Sequence, residues 1–285
     1  MEGNENISQS GEISRKRVKQ LISEMSMMND LLMSMVLEHK ECMELVLRII
    51  LNKDDLVVTK CKSQYTITNL RGRSACLDAL ASDSEGKLYN IEVQRSDTKD
   101  LPQRARYNGS LIDSRFVKKG SKFKTLPERY VIFITESDIF NRQKPLYTVT
   151  QTIAETGEPY NDGSHTIFVN SSIQNDTPLG KLMMDFHSKD PDKMNYEAIL
   201  KQINYYKNGK GNTHMCRLME SFGEEMRKVG REEGREEGII KGKKQQAISI
   251  ALLMLSKNTY TYEEISELTT LTVTEIEELD KKTSA

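Results

Sequence analysis

The stretch Ser74–Ser96, SACLDALASDSEGKLYNIEVQRS, constrains the fold of this chain more than any other. Two β-like runs flank SDSEGK, whose Gly, Ser and Asp are turn residues, and the pattern predicts an antiparallel hairpin. Side chains of a strand alternate between faces, so Tyr89, Ile91 and Val93 share one side and Glu92 and Gln94 the other. One side suits a core, the other chemistry or water. Asp78 and Glu92 are fourteen positions apart across the hairpin, so pairing can set their carboxylates side by side. Two adjacent oxygen ligands suit a hard cation such as Mg2+, with Mn2+ as a substitute. Gln94 can orient a water or a phosphate oxygen, but it lacks the positive charge a lysine would bring.

The segments around the hairpin extend the pattern. Before it, apolar residues in MSMMNDLLMSMVLEHKECMELVLRIIL recur at spacings of three, four and seven, which predicts two helices meeting near His39, with the methionines as core packing. LVVTKCKSQYTITNL reads as a strand. DLPQRARYNGSLIDSRFVKKG reads as a helix, with Pro102 in its first turn and Gly120 at its end. ERYVIFITESD is an apolar, β-branched run that predicts a buried strand. Further strands are expected at PLYTVTQTI and SHTIFVN, and helices at TPLGKLMMDFHS and MNYEAILKQINYYKN.

Overall charge gives no vote for a nucleic-acid partner, since 41 basic residues face 42 acidic ones. Local clustering does. From Arg95 to Arg129 ten basic residues stand against four acidic ones, directly after the acidic strand, where phosphate contacts are wanted. Arg104, Arg106 and Tyr107 are the candidates for phosphate and DNA contact. Arg104 and Tyr107, one helical turn apart, would face the same cleft while Arg106 points elsewhere. The four cysteines have no CxxC spacing and the four histidines stand apart from them, so neither a zinc knuckle nor a disulfide framework is indicated.

The expected organisation is a disordered terminus over 1–14, a catalytic-type domain over 15–209, a charged glycine-containing helical linker over 210–245 and a small helical module over 246–285. In the linker, Gly230, Gly234 and Gly238 step by four, a stripe that could admit a second helix and give a homo-oligomer, or else belong to a solvated linker. Three short helices are expected in the tail, with capping boxes at Thr261/Glu264 and Thr272/Glu275. The last helix is too acidic to approach phosphates, which favours packing or protein contact over reading DNA. With no signal-like apolar run at its start and no run approaching a membrane span, the chain is expected to be cytoplasmic, with no membrane partner.

These residues resemble a known family, the PD-(D/E)XK nuclease superfamily, and within it the Rpn-type recombination-promoting nucleases of the transposase group. The similarity runs from about Met28 to Tyr206 and is carried by ND at Asn29–Asp30, CLDALASDSEGKLYNIEVQ at Cys76–Gln94, LPQRARY at Leu101–Tyr107 and YVIFITESDIF at Tyr130–Phe140. TGEPYNDGSHTIFVN and PLGKLMMDF extend it. The resemblance implies an α/β fold, a restriction-endonuclease-like core whose central mixed β-sheet is flanked by helices, followed by a helical C-terminal extension. It makes Asp78 and Glu92 the metal-binding catalytic pair, and puts Gln94, as a catalytic residue, in the usual lysine position. It also implies an assisting helical acid, for which Glu44 is the candidate and Glu41 the rival. Two departures are visible: NDLLM is aliphatic after ND, and Tyr107 is followed by Asn108 rather than a second tyrosine.

The implied activity is metal-dependent DNA endonucleolysis, hydrolysis of phosphodiester bonds, linked to recombination or mobile elements. The alternative is a catalytically weak or inactive DNA- or protein-binding module on the same fold.

Overall fold

The computed structural model describes residues 17–69, 74–95, 99–117, 119–257 and 259–283, with backbone only at 220–230, 232–234, 236, 237, 240 and 281–283. The expectation of disorder over 1–14 lies outside the described residues. By internal contacts the chain divides into two compact units, 1–219 and 220–285.

The first unit opens with a helical segment over residues 17–24, followed by α1 (Asp30–Leu37) and α2 (Lys40–Leu51), which meet at His39 as expected. Asn29 caps α1, its side-chain oxygen accepting from the Leu31 and Leu32 amides at 3.2 and 3.3 Å. Three strands follow, β1 (Val58–Ile67), β2 (Ala75–Asp83) and β3 (Leu88–Gln94). The β2–β3 turn is built by its own side chains. Asp83 Oδ1 accepts from the Glu85 and Lys87 amides, each at 2.9 Å, and Gly86 takes φ +83°, which a side chain would resist.

Helix α3 (Leu101–Phe116) then carries the chain over the sheet to β4 (Arg129–Thr135), the long connection that a parallel pair requires. It ends at Phe116 rather than at Gly120, since Val117 is already extended. Strands β5 (Leu146–Val149) and β6 (Ser164–Asn170) and helices α4 (Pro178–His187) and α5 (Glu197–Lys207) complete the expected set.

The sheet is mixed, with order β1-β2-β3-β4-β6-β5. Pairs β1–β2, β2–β3 and β5–β6 are antiparallel, and β3–β4 and β4–β6 parallel. Both faces are covered. Tyr89, Ile91 and Val93 pack into the core built with α1, α2 and α4, which also buries Met27, Met33 and Met43. On the opposite face Leu88, Val131 and Phe133 pack with Leu101, Ala105 and Ile112 of α3. The face of β3 expected to meet water or chemistry is therefore roofed by α3, and Glu92 is only 4 % exposed.

The charged glycine-containing segment and the first expected tail helix run on as one helix, α6 (Gly211–Ser256). Two short helices follow, α7 (Tyr262–Thr269) and α8 (Val273–Thr283). Ala247, Ala251, Met254, Ile265, Leu271 and Ile276 form the small core of the second unit. Both capping boxes are present. The Thr261 amide donates to Glu264 at 2.8 Å and the Thr272 amide to Glu275 at 3.0 Å, with both returning bonds at 3.3 Å. Of the glycine stripe, Gly230 and Gly234 fall where side-chain surroundings are not described, and a side chain at Gly238 would meet nothing within 4 Å. Among the described residues no helix is long and apolar enough to cross a membrane.

Candidate active site

The site forms where the β2–β3 ladder stops. Regular pairing ends at Ala79 opposite Ile91. One step further the side chains take over the backbone's role: Val93 N–H donates to Asp78 Oδ2 at 3.1 Å, and Asp78 N–H donates to Glu92 Oε1 at 3.3 Å. The hairpin register thus brings the two carboxylates together, at the carboxyl end of β3, where open α/β sheets present their ligand sites.

Glu92 Oε1 also accepts from Asn90 Nδ2 at 2.9 Å, and Asn90 is fully buried. Asp78 Oδ1 and Glu92 Oε2 accept no hydrogen bond among the described residues, so each carboxylate keeps one oxygen uncommitted. Burial pushes both acids well above the ordinary carboxylate range; the neighbouring charge of the other pushes Glu92 further, and that of Asp30 does so for Asp78. The amide hydrogen bonds and the Arg104 guanidinium pull the other way without cancelling the effect. A buried pair of this kind holds a proton or a cation.

These residues line a cleft of about 450 Å³ together with Asp30, Gln94, Arg95, Arg104 and Glu136. Gln94 Oε1 accepts from Arg104 Nη1, so strand β3 and helix α3 are tied across the cleft. The Arg104 guanidinium also stands over the Phe133 ring at 5.6 Å. A second cavity, of about 600 Å³, adjoins the first and shares Cys76, Glu92 and Arg104 with it. Tyr107 lines this cavity, so Arg104 and Tyr107 do face a common space, whereas Arg106 is exposed and lines neither cavity.

The helical acid expected from sequence stands away from both cavities. Glu44 Oε1 accepts from the Val58 amide at 2.8 Å, and Glu44 ion-pairs with Lys40 at 3.9 Å and Arg48 at 3.5 Å. It caps the start of β1 and lines neither cavity, and Glu41 is exposed on α2. The acid that reaches the cleft is Asp30, in the first turn of α1. Its sequence signal is the Asn29 cap, which places the following acid at the positive end of a helix.

Not every base of the basic segment is available to a phosphate. Arg129 Nε donates to both carboxylate oxygens of Asp113 at 2.9 Å, an internal tie between β4 and α3 rather than a phosphate contact. Gly109 makes room for it, since a Cβ there would lie 2.3 Å from Arg129 Nη1.

Among the described residues no three His, Cys, Asp or Glu side chains gather as a metal-holding group. The donors present fit a cation that takes two carboxylates and completes its shell with water or substrate oxygens, as Mg2+ commonly does.

Fold and cleft together define an α/β protein with a carboxylate pair at the carboxyl end of an interior strand of a mixed sheet, beside an arginine-bearing helix. The family model described as PD-(D/E)XK nuclease family transposase matches residues 34–176, half of the chain, and the chain belongs to that family. The match is shorter than the expected resemblance and leaves out both Asn29–Asp30 and Pro178–Phe186. The sheet and its flanking helices agree with the restriction-endonuclease-like α/β fold. The comparison with curated proteins and that with solved structures each found no match.

Proposed function

We propose that the protein is a divalent-cation-dependent DNA endonuclease that hydrolyses phosphodiester bonds, with Asp78 and Glu92 as the residues that hold the cation, Mg2+ or in its place Mn2+. The observation that carries this reading is the buried carboxylate pair with one uncommitted oxygen on each member, facing a cleft that also holds Arg104. A bound cation supplies Lewis-acid polarisation of the phosphodiester and acidifies water at neutral pH. Asn90 and the Asp78 amide fix Glu92 Oε1, which aims the other oxygen of Glu92. Arg104, steadied by Gln94, holds a phosphate oxygen of the strand through a charge-assisted hydrogen bond. Gln94 orients the attacking water or a phosphate oxygen, and Tyr107 contacts the strand beside it. Arg106, exposed on α3, serves the flanking backbone.

Closer kinship with the Rpn-type recombination-promoting nucleases, a role in recombination, a cytoplasmic location and self-association through the C-terminal helical region belong to the same proposal. So does the division into a nuclease-like domain over 15–209, a linker over 210–245 and a helical module over 246–285.

The test is nicking of supercoiled plasmid in Mg2+ by the parent beside Asp78→Ala and Glu92→Ala, with folding checked by circular dichroism. Nicking by the parent that both variants lose supports the proposal. Absent nicking, or equal nicking by all three, refutes it and leaves the binding module as the better reading.

A further inference from the structure

The cavity that adjoins the acidic cleft is not required for phosphodiester hydrolysis, yet its lining is specific. Apart from Glu92 and Arg104, which it shares with the cleft, the described residues that line it carry no charge. Asn69, Gln103 and Asn108 bring amide groups and Tyr107 brings an aromatic ring. Asn108 is 7 % exposed, and its side-chain amide makes no hydrogen bond among the described residues. That amide lines the cavity and both donates and accepts, so it can pair with a ligand that carries a donor and an acceptor on adjacent atoms. Asn69 Nδ2 donates to the Tyr107 hydroxyl at 3.4 Å, which holds the ring at the wall.

A flat heterocycle with mixed donor and acceptor edges meets these demands. Asparagine and glutamine amides pair with such edges, and aromatic side chains stack on such rings. The cavity's size, about 600 Å³, lies within the range of small-molecule sites and admits one nucleotide. A base seated there has its own backbone beside Arg104 and Glu92, the two charged residues common to cavity and cleft.

We propose that the cavity receives one unpaired or extruded nucleobase of the strand being cut, read by Asn108 and Gln103 and stacked on Tyr107, so that the protein prefers DNA with a local unpaired nucleotide over continuous duplex. This rests on the nuclease reading and names the substrate of that site.

The experiment uses the full chain in Mg2+ with end-labelled oligonucleotide duplexes of one sequence: fully paired, carrying one mismatch, and carrying one abasic position. Cleavage beside the mismatch is expected to exceed that of the paired duplex by about tenfold or more, because the unpairing cost is already met. The abasic duplex, equally flexible but lacking the base, is expected to fall well short of the mismatch. Asn108→Ala is expected to abolish the difference between mismatch and abasic. Gln103→Ala, on an exposed position that does not endanger folding, is expected to reduce it. A nucleoside monophosphate at millimolar concentration is expected to compete weakly, and tight inhibition would assign the cavity to a free nucleotide and overturn the proposal. Equal cleavage of all three duplexes overturns the cavity's role and leaves the nuclease reading intact. Cleavage of none overturns both.

Discussion

Replacing Asp78 by asparagine is expected to stabilise the cation-free protein at neutral and alkaline pH, although it removes a residue of the site. The reasoning starts from the buried pair. Both carboxyls are held above their ordinary range by burial, and Glu92 additionally by Asp78. The folded state therefore binds a proton that the unfolded chain has released. By linkage the associated stability is present at low pH and is lost as pH rises through the folded-state values. Retaining one proton up to about pH 7, against an unfolded carboxyl near 4, corresponds to roughly 4 kcal/mol as an upper bound. The open side of the cleft reduces this, so a gain of about 1–3 kcal/mol for Asp78→Asn near pH 8 is expected. The asparagine oxygen can still accept from Val93 N–H, so the local tie survives. Urea unfolding with a chelator, repeated from about pH 5 to pH 9, reads the difference between the two proteins. It should vanish toward the acidic end and grow with pH. Millimolar Mg2+ should then raise the parent's stability and leave the variant's unchanged, because only the parent offers two carboxylates to the ion. A variant less stable than the parent near pH 8, or a gap that does not depend on pH, would refute the argument that the fold holds these acids above their ordinary range.

Two further outcomes separate structural from functional acids. Glu44→Ala is expected to cost about 1–2 kcal/mol in urea unfolding, through the bare Val58 amide, and to leave plasmid nicking at the parent's rate. Loss of nicking without loss of stability would return Glu44 to the site. Asp30→Asn removes a negative neighbour that raises the Asp78 carboxyl, so Asp78 ionises at lower pH and the acidic limb of the nicking rate should move to lower pH. An unmoved limb in a correctly folded variant would remove Asp30 from the cleft's electrostatics.

How far the site can be read from sequence depends on whether its causes are local. The carboxylate pair is legible because hairpin register is local: SDSEGK fixes the turn through Asp83 and Gly86, and the register then decides which residues lie opposite one another. The environment of the pair is not legible. Alternation along β3 marks Glu92 as facing chemistry or water, and it is buried because α3, a later segment, packs over that face through Leu101, Ala105 and Ile112. The role of Arg129 is hidden for a related reason. Charge counting includes it in the basic segment, but its partner Asp113 lies on another element and the approach depends on Gly109 lacking a side chain. Asp30 was within reach, since the asparagine cap before it is a local signal. Glu44 sits on a helix of the expected kind, but hydrogen-bonding to the first amide of β1 turns it away from the cleft.

The end of the β2–β3 ladder has a further consequence for chemistry. Had pairing continued in register, Asp78 would lie opposite Glu92 and Leu77 opposite Val93, backbone groups would satisfy one another and the carboxylates would have no structural duty. Instead Asp78 accepts the Val93 amide and Glu92 the Asp78 amide, so each acid is positioned by one oxygen and presents the other. The arrangement orients the pair before any ion arrives, which lowers the reorganisation needed on binding. It also accounts for both cavities meeting at Glu92 and Arg104: where β2 no longer pairs with β3, the space between the strand ends and α3 opens on both sides of the Gln94–Arg104 tie. Gln94 is then more than a replacement for a lysine. By holding Arg104 over Phe133 it keeps a positive charge beside the carboxylates, a charge that a lysine at position 94 would bring from the strand itself.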